Sequence, residues 1–433
     1  MTKFYKKMKK FLLSVVLTAT FTFSALAQYT DGVFILNEGG AGSDNSSLSF
    51  LANSTLQNNV YGSVNNGDKL GDTAQSMGFK GDKVYVVLNI SNEVVVANST
   101  TLVKTARITE GLVNPRYIAF YGEKAYVTCW GNAQSDTDDY IAVIDLSTNA
   151  VTGNIPVAVG IEKIITIGDK LYVAHKGGYG DNNLVSVVNP ATNAVVTIEV
   201  GDVPNAMVEK GGFLYVMCGG RPSWSGAGES SGKLVKINLA DNTIAEALTF
   251  FGVQHPSGLG VNGNDLYYTI GADIYKTDIA AATLPVAPLF SIEPQGVYGI
   301  YGFDVIDGKL YIGDAGGFVA PGVAHVYTAA GAHVQTYTVG ISPNGFYKSV
   351  QTVTGTVDVN KLTVSVYPNP VSEVLYVNTD KQAEVRIFDI AGRIVANENY
   401  TASGINVSAL PAGTYFAEIT VENAKSIKQI VIQ

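Results

Sequence analysis

A short frame recurs along this chain and decides what it can fold into. It reads GDKVYVV from residue 81, GEKAYVT from 122, GDKLYVA from 168, GGFLYVM from 211, GNDLYYT from 263 and DGKLYIG from 307. Each copy places a tyrosine (Tyr85, Tyr126, Tyr172, Tyr215, Tyr267, Tyr311) four residues after the first turn residue, and DGVFILN at 31 puts Phe34 in its place. These anchors lie 41 to 52 residues apart, the period of a propeller blade. Each period holds four short runs that alternate or are β-branched, separated by Gly-Asp, Asp-Gly or Asn-rich pairs with the positive φ that two-residue hairpins require. That punctuation excludes helix almost everywhere. A four-stranded unit cannot bury both faces alone, so the units must stack about an axis, each covering the next. The recurrent tyrosine is expected between blades with its hydroxyl hydrogen-bonded.

The innermost strands count the blades. DTAQSMGFK, PRYIAFY, EKIITI, PNAMVEK, PSGLGVN and VYGIYGFDVI precede six of the turns, whereas DGVFILN has no such strand before it. The missing strand stands at the far end as SPNGFYKSV, residues 342 to 350. The expected fold is all-β: a seven-bladed β-propeller over residues 28–350, closed where its last strand joins the sheet begun by the first and so removes two exposed edges.

Residues 1–27 read as a cleaved signal peptide: Lys3, Lys6, Lys7, Lys9 and Lys10 precede an apolar run from Phe11 to Ala25, ending in Ala25-Leu26-Ala27. No cysteine follows to take a lipid, and no later run is apolar for long enough to cross a bilayer, so the expectation is an exported chain without a transmembrane segment. Without the signal lysines the charge falls from −9 to near −14, which excludes nucleic acid as a natural partner.

Residues 351–361 are small and polar and read as a linker. Residues 362–433 lack the frame and describe a small, immunoglobulin-like β-sandwich. Here Val366-Tyr367-Pro368-Asn369-Pro370, Val385-Arg386-Ile387-Phe388-Asp389 with Gly392, and Leu410-Pro411-Ala412-Gly413-Thr414-Tyr415 stand in order before a basic, then apolar, end. This stretch resembles the C-terminal sorting domain of type IX secretion cargo in Bacteroidetes. The resemblance implies handling by the type IX machinery, passage through the outer membrane, and release or attachment at the cell surface.

Function must reside in loops, because a propeller only presents them. With strands lettered A to D from the axis outward, B–C and D–A connections share one face. The other face carries short turns such as Leu146-Ser147-Thr148-Asn149. The long loops hold both tryptophans, Trp130 and Trp224, with Tyr179, Arg221 and Phe318, and the D–A loops add Arg116, His255, Tyr298 and Asn344. Aromatic planes among Arg, Asn and Asp groups suit a polar small-molecule ligand with flat or ring-shaped parts; packing of loop against loop is the plain alternative.

The residue three places beyond each anchor forms a second candidate ring: Asn37, Leu88, Cys129, His175, Cys218, Ile270 and Asp314. Cys129, His175 and Cys218 come from consecutive blades and raise a metal site, although three soft ligands on a wide ring rarely converge. A Cys129–Cys218 disulfide would span an intervening blade, so buried thiols are the plainer expectation. The runs Ser135 to Asp139 and Gly42 to Asn45 have oxygen ligands for bound Ca²⁺ or another divalent metal, and equally suit solvated loop. No cofactor is expected, and neither G-x-S-x-G nor H-E-x-x-H occurs.

Over residues 29–350 the repeated G-D-K-L-Y-V frame and the D-L-S-T-N and N-P-A-T-N turns resemble YncE-like, YVTN-type seven-bladed propellers, and the DUF5074-like surface propellers of Bacteroidetes. The resemblance implies capture of a nutrient or cofactor, corrinoid-like in some members, and partnership with a TonB-dependent outer-membrane transporter. Export by the type IX route in place of a lipid anchor departs from those members. The expectation is therefore a secreted or cell-surface, non-catalytic binding protein. Its rivals are a lactonase-like, metal-dependent hydrolase, which would draw on His175, Asp314 and Asn37, and a scaffold that binds a surface protein.

Overall fold

The computed structural model describes residues 28–132, 134–292, 299–350, 364–379, 382–389, 393–401, 403–421 and 424–433. The signal peptide, the linker and Tyr298 lie outside them. The chain divides into two compact units, Met1–Gln351 and Thr352–Gln433.

The first unit consists of seven four-stranded antiparallel sheets among its described residues. Six are sequential hairpin ladders. The seventh pairs Val33–Asn37 with Pro343–Lys348, with Phe34 opposite Tyr347 and Ile35 opposite Phe346. Head and tail of the repeat array thus share one blade. The innermost strands (Pro343–Lys348, Ala74–Lys80, Pro115–Tyr121, Ile161–Ile167, Pro204–Lys210, Ser257–Asn262 and Gly302–Ile306) each touch the next, and the last touches the first. Among the described residues a single short helix, Val60–Val64, interrupts the β pattern after the first blade's outer strand.

Among the described residues there is no central core. The apolar side chains form separate clusters, each between two neighbouring sheets. The repeat explains this: every second strand is nearly all apolar and buried on both faces, as in Lys170–His175 and Phe213–Cys218. The anchor tyrosines fill these seams, at most 6% exposed. Tyr172 donates to Asn242 Oδ1 at 2.8 Å, Tyr215 to the Ile279 carbonyl at 3.5 Å, and Tyr267 to the Ala329 carbonyl at 3.2 Å. Each bond reaches the outer turn of the following blade, so the phenol satisfies its hydroxyl while joining two sheets.

The second unit has two sheets, one of three strands and one of four, over one core that includes Leu375, Val385, Ile387, Ile405, Ile419 and Ile430. Asn369 of the Tyr-Pro-Asn-Pro motif donates to the Gln429 carbonyl and accepts the Val431 amide, both at 2.9 Å, extending the last strand's ladder. Among the described residues no helix is long and apolar enough to cross a membrane.

Candidate functional site

The geometry at the axis begins with a repeated backbone device. In five of the seven blades the residue that opens the inner strand follows one held at positive φ: Thr73 (57°), Asn114 (51°), Gly160 (75°), Val203 (58°) and Ser342 (55°). For Thr73 and Val203, both β-branched, that conformation is strained. In all five the carbonyl of this residue accepts an amide just past the end of the second strand, from Asn89, Trp130, Gly177, Gly219 and Glu38, at 2.8 to 3.2 Å. The ladder then bulges, as between Pro115 and Ile118 or Pro204 and Ala206. A bulge re-aims the side chain it carries. The residues delivered to this register, one per blade, are Gln75, Arg116, Glu162, Asn205, Ser257, Tyr301 and Asn344.

They crown an axial channel of about 420 Å³, which Glu162, Asn205, Ser257, Tyr301 and Asn344 line together with Tyr117, Lys163, Lys176, Asp304 and Tyr347. Arg116 and Glu162 form a two-pronged ion pair at 2.9 and 2.7 Å. Burial alone would raise the Glu162 carboxyl, but Arg116 outweighs it and holds the group below its ordinary range. The Arg116 guanidinium stacks 4.1 Å from the Trp130 ring, whose Nε1 donates to the Ile161 carbonyl at 2.5 Å. Across the mouth, Tyr301 donates to Glu38 Oε2 at 2.5 Å and Asn344 Nδ2 donates to the same oxygen at 3.3 Å. Burial raises Glu38 despite these donors. Deeper in, burial pushes Asp304 up to about 6, although Lys163 and the Phe346 amide, donating at 2.9 Å, oppose it.

Two amides are left half-used. Asn205 Nδ2 donates to the Pro256 carbonyl and Asn344 Nδ2 to the Ala74 carbonyl, each in the next blade and each at 2.9 Å. Those carbonyls fix the orientation of the amides. Both Oδ1 atoms are consequently buried without a partner.

The other expected site residues fall elsewhere. Asn37, His175 and Asp314 are buried within their own blades: Asn37 donates to Ser49 Oγ at 3.0 Å, His175 Nε2 lies 2.7 Å from Ser186 Oγ, and Asp314 caps the Gly316 amide at 2.7 Å. The second-strand ring thus turns inward to the sheets, and it is the register of Glu162, Asn205, Ser257, Tyr301 and Asn344, at the start of the inner strands, that lines the axis. Cys129 and Cys218 are buried free thiols, each raised to about 12 by burial. Among the described residues no three His, Cys, Asp or Glu side chains are placed to hold a metal together. Arg221 pairs with Asp202 at 2.8 Å and donates to the Gly228 carbonyl; His255 bridges the Gly219 carbonyl and Glu229. These two brace loops. Phe318 meets Tyr301 edge-on at 5.0 Å, Trp130 meets Tyr179 at 5.7 Å, and Trp224 stands 77% exposed on its loop. Glu38, Glu162, Lys163, Asn205, Tyr301 and Asp304 escaped the sequence reading. For Asn205 the signal was a polar residue straight after the proline that opens an inner strand, a pattern in Val203-Pro204-Asn205 that Asn114-Pro115-Arg116 and Ser342-Pro343-Asn344 share.

His175 makes a pH prediction. Burial lowers it to about 4 from 6.5, so its neutral form stabilises the fold above pH 6.5 and that contribution is lost as pH falls toward 4. Between pH 7 and 5 the wild type should lose about 2 kcal/mol relative to His175→Gln, measured by urea unfolding at each pH. Parallel stability–pH curves would contradict this.

Residues 31–340 match the model of a domain of unknown function, DUF5074, and residues 365–433 that of the secretion system C-terminal sorting domain. β-Agarase D of Zobellia galactanivorans is 29% identical over 69 residues, which are 16% of this chain and 14% of that protein. This chain therefore spans a small fraction of that relative's length. A quinoprotein alcohol dehydrogenase-like protein of Bacteroides thetaiotaomicron superposes with a TM-score of 0.57 at 17% identity, covering 74% of this chain and 79% of its own. The extracellular domain of a candidate one-component system of the same organism gives 0.50 at 13% identity, covering 94% and 57%. These likenesses show the propeller-like fold alone. The sorting domain directs type IX secretion to the cell surface or the extracellular space. The match runs through all seven blades, and the chain belongs to the DUF5074 family.

Proposed function

We propose that this exported propeller is a non-catalytic binding protein that captures a polar small molecule over its axial ring. One observation carries the reading. Second strands and turns repeat nearly unchanged from blade to blade, yet the register that faces the axis holds Gln, Arg, Glu, Asn, Ser, Tyr and Asn. Bonds between blades use some of these groups, but a binding site needs different groups at fixed points on a rigid frame, and this register supplies them. The unpartnered Oδ1 atoms of Asn205 and Asn344 ask for a ligand with N–H or O–H donors. A corrinoid, the ligand implied by the resemblance to surface propellers, carries such amide donors on its rim, and one of its arms would enter the channel.

Calorimetric titration of the full chain with cyanocobalamin tests this. A saturable heat that falls at least about tenfold in affinity in Asn205→Leu and Asn344→Leu supports it. If neither cyanocobalamin nor a panel of amide-, amine- and hydroxyl-bearing nutrients gives binding sensitive to those substitutions, the scaffold reading takes its place. Turnover of a lactone by protein holding a stoichiometric metal would favour the hydrolase.

A further inference from the structure

On the loop-rich face, between the third and fourth blades, lies a second recess of about 270 Å³ that shares no lining residue with the axial channel. Two of its walls are aromatic. Trp130 and Tyr179 meet at 64° to make a corner, and Tyr179 is 76% exposed, so its ring is displayed with little apolar cover. The remaining chemistry is acidic: Asp136, Asp139 and Asp181 line the recess, and no lysine, arginine or histidine does. Asp139 is only 3% exposed, its Oδ2 fixed by the Gly160 amide at 2.7 Å and the Ile161 amide at 3.2 Å. Asp181 is anchored from behind by the Ser225 hydroxyl. Bare backbone completes the wall where the two loops touch, since a Cβ on Gly160 would lie 2.1 Å from the Gly177 Cα. The Asp139 and Asp181 carboxylates are thus held in place, and bare glycine backbone keeps side chains out of that wall.

The negative face of an aromatic ring attracts cations, and Trp130 already stacks one, the Arg116 guanidinium. A phosphate or carboxylate ligand would meet three like charges and no counter-charge. A neutral polyol would find acceptors, but would leave the aromatic corner's attraction for charge unused. An alkylated ammonium satisfies both features, presenting its spread positive charge to ring faces and carboxylates at once. We propose that this recess binds an organic ammonium ion, with Trp130 and Tyr179 as its aromatic walls and Asp136, Asp139 and Asp181 as its counter-charge. The site is distinct from the axial ring and would add a second ligand to the same face.

The protein has two tryptophans, so a full-length Trp224→Phe chain reports Trp130 alone by fluorescence. Choline should change that emission saturably below about 10 mM, and 3,3-dimethyl-1-butanol, its uncharged isostere, should bind at least about tenfold more weakly. Asp181→Asn and Tyr179→Ala should each weaken choline by about fivefold or more, with melting curves checking that both variants fold. Tyr179 lies on the surface, so its truncation leaves the fold intact. Equal binding of choline and the alcohol would overturn the assignment. So would saturation by galactose in place of choline, or no saturable response to choline.

Discussion

A chain that ends at Ile341 should fail to melt cooperatively, whereas one that ends at Val350 melts as a single unit. The nine residues between them contain the strand Pro343–Lys348, the inner strand of the blade begun by Val33–Asn37. Its loss exposes the seam in which Phe346, 3% exposed, packs against Ile35 and Tyr311. Removing a buried phenylalanine costs about 3–5 kcal/mol, and each lost ladder hydrogen bond about 1 more. Asp304 would also lose the Phe346 amide that it accepts while remaining deep in the channel wall. Against a total stability of about 5–15 kcal/mol, these losses leave an open ring with two raw edges. Scanning calorimetry on the two chains decides it, and equal midpoints would mean that strand exchange does not close the propeller.

How far the sequence reaches depends on whether a position is governed by local chemistry. The hairpin turns and anchor tyrosines were legible because Gly-Asp pairs and alternating apolar runs act over a few residues, and the closing strand followed from counting. The axis was not. Cys129, His175 and Asp314 end strands that run toward the loop face, so they looked like a ring, but strand pairing places them against their own sheets. Glu162 and Asn205 reach the channel because a positive-φ residue and a bulge turn the chain just before them. The Val203 conformation has no signature in its own side chain, since β-branched residues disfavour it; a cross-loop bond from the Gly219 amide holds it. Glu38 and Tyr301 are 263 residues apart in sequence, and only ring closure brings them within hydrogen-bonding distance. The loop aromatics divided likewise: Trp130 meets Tyr179 across neighbouring loops and Phe318 meets Tyr301 in its own blade, while Trp224 lines neither the recess nor the axial channel.

Glu162→Gln should destabilise the propeller by about 3–5 kcal/mol at neutral pH, the second large effect expected here. Side-chain exposures of 13% for Arg116 and 7% for Glu162 leave little water to screen the guanidinium once its partner is neutral. The sign with pH follows from the carboxyl being held below its ordinary range: its stabilisation is present above about pH 4.5 and is lost as pH falls through the lowered value, so wild type and variant converge in acid. Replacing both partners, Arg116→Met with Glu162→Met, removes the stranded charge and should restore stability to within about 1 kcal/mol of wild type, less the lost stacking on Trp130. A buried pair that an apolar pair can replace is not maintained for stability. If the axial ring binds a ligand, the double variant therefore folds but loses that affinity, and urea unfolding together with calorimetric titration separates the two properties. Undiminished ligand affinity in the double variant would reduce the ion pair to a structural clasp between the third and fourth blades.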